Sequence, residues 1–162
     1  MVALETLKDL QFLQDLPDED LRKLATVAEV KEFAPGATIF REGQASPFVY
    51  LVASGTITLD ITVAGRGPSQ FQTVGAGELL GWTPLIDGGA MTATARARTA
   101  ARLIAINANQ VRAMSAANPG LAAEIMKRTA RTLSRRLAAT RLQLLDVYRD
   151  VLPVVRDEGG RG

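Results

Sequence analysis

The sequence predicts one mainly β domain, a small antiparallel barrel or roll flanked by helices, and three observations lead there. Short β-like runs separated by Gly, Pro and Asn fill residues 30–106. Helical spacing of apolar residues holds before that region and returns after residue 109. A length of 162 residues suits a single domain with one buried core.

The opening residues 4–31 place Leu7, Leu10, Phe12, Leu13, Leu16, Leu21, Leu24, Ala25 and Ala28 at mostly helical intervals, interrupted at Pro17. Two short helices are expected. Asp15-Leu16-Pro17, followed by Asp18 and Glu19, marks the start of the second, because proline suits a first helical turn and acids favour its positive end. The β-like runs are 30–33, 38–41, 49–53, 56–63, 71–74, 93–98 and 102–106. Between them stand Pro35-Gly36, Glu42-Gly43, Ser54-Gly55 and Gly65-Arg66-Gly67-Pro68, where turns need a fixed or a positive φ. Short strands punctuated in this way suit a closed or rolled antiparallel sheet. Helix returns at 109–117, breaks at Asn118-Pro119-Gly120, and resumes from 121 to about 152. One domain over residues 1–150 is expected, with helices before 30, strands over 30–107, helices over 108–152 and a flexible tail at 153–162.

Composition removes several classes of chemistry. Lys and Arg total 19 against 17 Asp and Glu, a formal charge of +2, so bulk charge makes no case for nucleic acid. The chain has no Cys, which excludes disulfides, thiolate zinc sites, thiolate-held iron–sulfur clusters and a Cys nucleophile. It has no His either, which excludes a Ser-His-Asp triad, an imidazole base and His-ligated haem or zinc. The remaining carboxylates, Lys, Ser, Thr and Tyr show no catalytic spacing, and Glu42 and Glu78 stand beside glycine corners, where structural or solvated roles are expected. No catalytic residue, metal or cofactor is expected. No apolar run approaches the ~18 residues that span a bilayer, and residues 1–20 lack a signal core and cleavage site, so a cytoplasmic protein is expected.

Phe33-Ala34-Pro35-Gly36-Ala37-Thr38-Ile39-Phe40-Arg41-Glu42-Gly43, followed by Val49-Tyr50-Leu51-Val52-Ala53-Ser54-Gly55-Thr56-Ile57, resembles the first half of a cyclic-nucleotide-binding domain of the catabolite-activator type. The resemblance runs from about residue 10 to 145 and implies an eight-stranded antiparallel β-roll, a jelly-roll-like double-stranded β-helix, with short N-terminal helices and a long C-terminal one. Gly75-Ala76-Gly77-Glu78-Leu79-Leu80-Gly81 is similar to the lead-in of that family's phosphate-binding cassette, and 92–100 to the strand pair after it. The resemblance implies a ligand pocket at Leu80, Gly81, Trp82, Thr83, Met91, Thr92 and Ala93, with a short helix, seated by Leu85, whose amides face a cyclic phosphate.

This chain departs from the family at two of those positions. Trp82 stands where the family has the glutamate that accepts from the ribose hydroxyl, and Met91 where it has the arginine that pairs with the phosphate. A charge-assisted contact is worth about 1.5–3 kcal/mol, so losing two moves an affinity from about micromolar towards about millimolar. Thr92 remains as a polar position. Arg96 and Arg98 lie several residues further on and are expected to face solvent, because a strand advances about 3.3 Å per residue. Two readings of Trp82 and Met91 stand side by side. They fill the vacated cavity, which is preferred because bulky side chains replace polar ones, or they line an apolar pocket for another small molecule, with Trp82 as a stacking platform and Thr83 and Thr92 as polar handles. Asp87-Gly88-Gly89 is expected to form an exposed turn.

In the last helix Ala130, Leu133, Leu137, Thr140, Leu144, Val147 and Val151 recur three and four apart, a coiled-coil seam that points to a homodimer. Leu121, Ile125, Met126, Leu142, Leu145 and Tyr148 supply further apolar positions, some expected to lie on the roll. Arg128, Arg131, Arg135, Arg136 and Arg141 make this helix basic, which is read as a solvated face or, alternatively, a membrane-surface contact. No sequence-specific DNA binding is expected of this chain, because transcription factors of the family place a helix-turn-helix after this helix and 153–162 is too short and Gly-rich to be one. The expectation is a non-enzymatic regulatory or assembly module, with a true cyclic-nucleotide or other small-ligand sensor as the alternative.

Overall fold

Runs of consecutive apolar residues mark the strands that organise this chain. The computed structural model describes residues 1–155. Its strands are β1 (Ala28–Phe33), β2 (Thr38–Phe40), β3 (Phe48–Ser54), β4 (Ile57–Val63), β5 (Gly67–Val74), β6 (Leu79–Leu80), β7 (Thr94–Ala97) and β8 (Ala101–Asn107). They form two four-stranded antiparallel sheets, ordered β1-β8-β3-β6 and β2-β7-β4-β5. The helices are α1 (Leu4–Lys8), α2 (Asp18–Thr26), α3 (Thr83–Ile86), α4 (Ala108–Ala117) and α5 (Pro119–Tyr148), with a 3-10 turn at Gln11–Leu13. This is the eight-stranded β-roll with flanking helices that the family resemblance implies.

In the first sheet β3, β6 and β8 are buried on both faces, while the edge strand β1 is largely exposed. On β3, Val49 and Leu51 join a core with Leu7, Leu21 and Leu24 of the N-terminal helices and Leu121 and Ile125 of α5. Their neighbours Tyr50 and Val52 point the other way, into the roll, beside Ile57, Leu59, Ala95 and Ala97 of the second sheet. β8 divides likewise, Ile104 and Ile106 to the helices and Leu103 and Ala105 to the roll. A strand covered on both sides has no polar face, which explains the unbroken apolar texture of 49–53 and 103–106. The second sheet is wetter on one side: half-exposed Arg96 stands between buried Ala95 and Ala97 on β7, and Thr94, itself buried, turns its hydroxyl to the Glu42 amide.

Several local readings change. The two-residue β6, hydrogen-bonded opposite Tyr50 and Leu51, was absent from the seven runs because it is too short to show a period. β5 begins at Gly67 rather than after Pro68; it is the edge strand of its sheet, where a missing N–H costs no ladder bond. The expected break at Asn118-Pro119-Gly120 is only Asn118, since Pro119 opens α5 at its first position. α5 ends at Tyr148; of its further apolar positions Leu121 and Ile125 lie in the core as expected of some of them, and Met126, Leu142, Leu145 and Tyr148 are exposed. Of the expected tail, residues 156–162 lie outside the described residues.

Two polar links hold the surface of the roll together. Arg96 is not a free solvated arginine: its Nε donates to Asp60 Oδ2 at 2.9 Å, diagonally across β4 and β7, and it also reaches Thr38 Oγ1. Glu42 has the structural role expected of it, accepting from the Thr62 amide at 2.9 Å while its own amide donates to Thr94 Oγ1. Asp87 closes the 87–89 turn by accepting from the Gly89 amide at 2.9 Å.

Asp60 is 7% exposed, so removing its cation leaves a buried carboxylate with no counter-charge. Arg96→Ala is expected to lower stability by about 2 kcal/mol in urea unfolding, whereas exposed Arg98→Ala stays within about 0.5 kcal/mol. Equal effects of the two variants would show that the pair carries no stability.

Candidate functional site

The segment from Leu79 to Ala93 joins the two cores, and its backbone is set by short pairings. β6 hangs on β3, and Gly77 donates to the Val52 carbonyl at 2.7 Å just before it. Met91 is pinned by its own amide on the Gln44 carbonyl, 2.9 Å, and by the Gly43 amide on its carbonyl, 2.8 Å. The two ends therefore face each other across the mouth of the roll.

Gly81 has φ +74°, and the space beside it is taken. A methyl group there would lie 2.9 Å from Phe40 Cε1 and 3.2 Å from Met91 Cε. Met91 is buried among Phe40, Leu80, Ala93 and Ala95 in the interior of the roll. Trp82 is half-buried and leans the other way, packing with Leu85 against the helix-side core. Thus Met91 fills the interior while Trp82 does not. Thr83 is buried, and Thr92 is exposed.

A cleft of about 190 Å³ remains at this mouth. Phe40, Leu59, Phe71, Trp82 and Met91 provide its apolar wall, and Gln72, Thr83 and Thr92 add polar atoms. The preferred reading of a wholly filled cavity is corrected to this extent: the space is reduced, not closed. It falls below the ~300 Å³ at which ordinary small-molecule pockets begin. α3 is a single turn, Pro84 in it has no N–H, and the Leu85 amide is used by the Trp82 carbonyl at 3.0 Å.

α5 closes the cleft from outside, with Leu133 and Arg136 on its rim. Leu133, expected only in the dimer seam, is half-buried and belongs to this wall. Arg136, expected on a solvated face, is half-buried and donates through Nη2 to the Leu79 carbonyl. Burial pulls its guanidinium below the ordinary arginine range; the Glu78 carboxylate opposes that and Arg135 adds to it. The same side chain, with Gln72, also borders a second cleft of about 330 Å³ towards the 3-10 turn. There Arg128 secures the helix, pairing with Glu124 at 2.9 Å and donating to the Phe12 and Gln14 carbonyls at 2.9 and 2.6 Å. The sequence carried a signal for Arg136: continuing the roll-facing positions Leu121 and Ile125 by helical steps through Thr129 and Thr132 lands on it.

Beyond Arg136 the helix leaves the roll. Leu137, Leu144 and Val147 are 52%, 55% and 74% exposed, and Thr140 is exposed with its hydroxyl returned to the Arg136 carbonyl. Among the described residues no helix is long and apolar enough to cross a membrane.

Comparison with known proteins follows the same lines. The family model described as the cyclic nucleotide-binding domain matches residues 30–118. Among curated relatives, the HTH-type transcriptional regulator Cmr of Mycobacterium tuberculosis is 27% identical over 83% of this chain. The CRP-like cAMP-activated global transcriptional regulator of the same organism is 24% identical over 91% of it. The chain spans 53% and 64% of the lengths of those two relatives. Among solved structures, a putative cyclic nucleotide-binding protein from Geobacter metallireducens is 30% identical with a TM-score of 0.75, covering 85% of this chain and 99% of that one.

Proposed function

The chain belongs to the cyclic nucleotide-binding domain family, and we propose that within it this is a non-enzymatic regulatory or assembly module that does not hold cAMP or cGMP in the family's usual way. The observation that carries the reading is Met91, an uncharged side chain 3% exposed at the position that matches the family's phosphate arginine. Trp82 offers no acceptor at the position that matches the ribose glutamate, since an indole N–H only donates. The small volume of the cleft, about 190 Å³, supports the same reading.

A second reading, a small-ligand sensor with a modified pocket, is favoured by the cleft's being open and bordered by Thr83 and Thr92. The two readings agree on the fold and differ on what enters it.

The module works as a homodimer through α5 in this proposal. Leu137, Leu144 and Val147 follow the seam spacing and stand free of the roll, an apolar stripe that a second copy of the same helix fits. Leu133 lies on both surfaces, so the dimer helix and the cleft share a wall.

At millimolar cAMP the melting temperature of the chain is expected to stay unchanged. The double variant Trp82→Glu with Met91→Arg is expected to gain roughly tenfold or more in cAMP affinity, read as a thermal shift relative to its own ligand-free melt. A cAMP-induced shift in the unsubstituted chain as large as that in the double variant would overturn the reading. In sedimentation velocity the chain is expected to run as a dimer, and Leu137→Lys with Leu144→Lys as a monomer of unchanged secondary structure. A monomer that the substitutions leave unchanged would count against the seam.

A further inference from the structure

Arg136 is the one charged side chain among those lining the cassette cleft, and the cleft is otherwise mostly apolar. It is half-buried, and among the described residues it forms no ion pair; its recorded partner is the neutral Leu79 carbonyl. Glu78 acts on it only at longer range. A guanidinium that has lost water without gaining a counter-ion is poised for an anion, because charge-assisted hydrogen bonds strengthen where water is excluded. Its planar fork carries five N–H donors, so an anion can be taken without releasing Leu79.

The size and walls of the cleft describe the rest of the ligand. A cavity of about 150 Å³ lined by apolar side chains holds one benzene, so about 190 Å³ takes a single aromatic ring with a small head group. Trp82, Phe71 and Phe40 line the cleft with aromatic side chains that suit that body. Thr83, Thr92 and Gln72 are placed to hydrogen-bond its polar atoms. A one-ring carboxylate or phosphate matches this volume.

We propose that the cleft is a binding site for a single-ring aromatic anion, a carboxylate or a phosphate, with Arg136 of α5 as the residue that recognises the charge. This rests on the reading that the cassette cleft is no longer built for cyclic nucleotide. The cation reaches the cleft from the helix, not from the cassette that matches the family's arginine position. A bound anion then links α5 to β6 through one guanidinium, and α5 is also the helix that carries the dimer seam.

The chain has one tryptophan, Trp82, and it lines the cleft, so its fluorescence reports occupancy directly. The full chain is titrated with benzoate, phenyl phosphate and the neutral analogue benzamide, and the melting temperature is followed in parallel. Saturable quenching and thermal stabilisation by either anion are expected, and which one binds more tightly identifies the head group. Arg136→Gln is expected to weaken that anion by roughly ten- to a hundredfold, Arg136→Lys to restore most of the loss, and benzamide to bind weakly and alike in all three chains. Because Arg136→Gln also removes the Leu79 contact, its ligand-free melt is measured first, and the lysine variant separates charge from folding. Absence of saturable binding by both anions up to about 10 mM overturns the proposal, as does equal affinity for benzamide, or an Arg136→Gln chain that binds like the original. Micromolar cAMP in the same titration would instead overturn the reading on which this one rests.

Discussion

Burial of β3 and β8 on both faces is the constraint on which the other elements depend. β3 and β8 alternate their side chains between a helix-side core and the interior of the roll, so neither core exists without the same backbone. Each apolar side chain buried there contributes about 1.5–3 kcal/mol, and a one-residue slip would exchange the two faces of every strand. The short β6 hangs from β3 in the same register, and the cassette hangs from β6. The geometry of the candidate site is therefore inherited from the two-sided sheet.

What the cassette then does follows from which side chains stand at two of its positions. Met91 joins the interior core and Trp82 packs against the helix-side core, so both side chains take part in the packing of this chain. That packing is incomplete, because Met91 and Phe40 close in around Gly81 while a smaller cleft stays open. Charge has not vanished from that cleft; Arg136 brings it from α5. α5 closes the cleft, brings Arg136 to its wall and exposes Leu137, Leu144 and Val147 beyond it, so the cleft and the apolar stripe lie on one continuous helix.

The fold was legible because its punctuation is chemical. Glycine and proline corners and consecutive apolar runs survive in a single sequence, and Gly55 shows why: φ is +95° and a methyl group there would meet the Ala100 carbonyl at 2.5 Å. β6 was not legible, because two residues have no period. The Asp60–Arg96 pair was missed because the residues are far apart in the chain and become neighbours only when β4 and β7 pair. The altered cassette positions could be read as letters, but whether the cavity was filled depends on side-chain direction, and Trp82 turned to the opposite core from Met91. Arg136 stood among several arginines expected on a solvated face; the helical step from Leu121 and Ile125 through Thr129 and Thr132 separates it from exposed Arg135, and the docking of α5 gives that step its meaning.

The central claim is that a cyclic nucleotide-binding fold has been kept here while its nucleotide contacts have been replaced. Isothermal titration calorimetry of the chain with cAMP tests it most directly. The account predicts heats too weak to define a dissociation constant below about 100 µM. A constant at or below about 10 µM, with one nucleotide per chain, would contradict it.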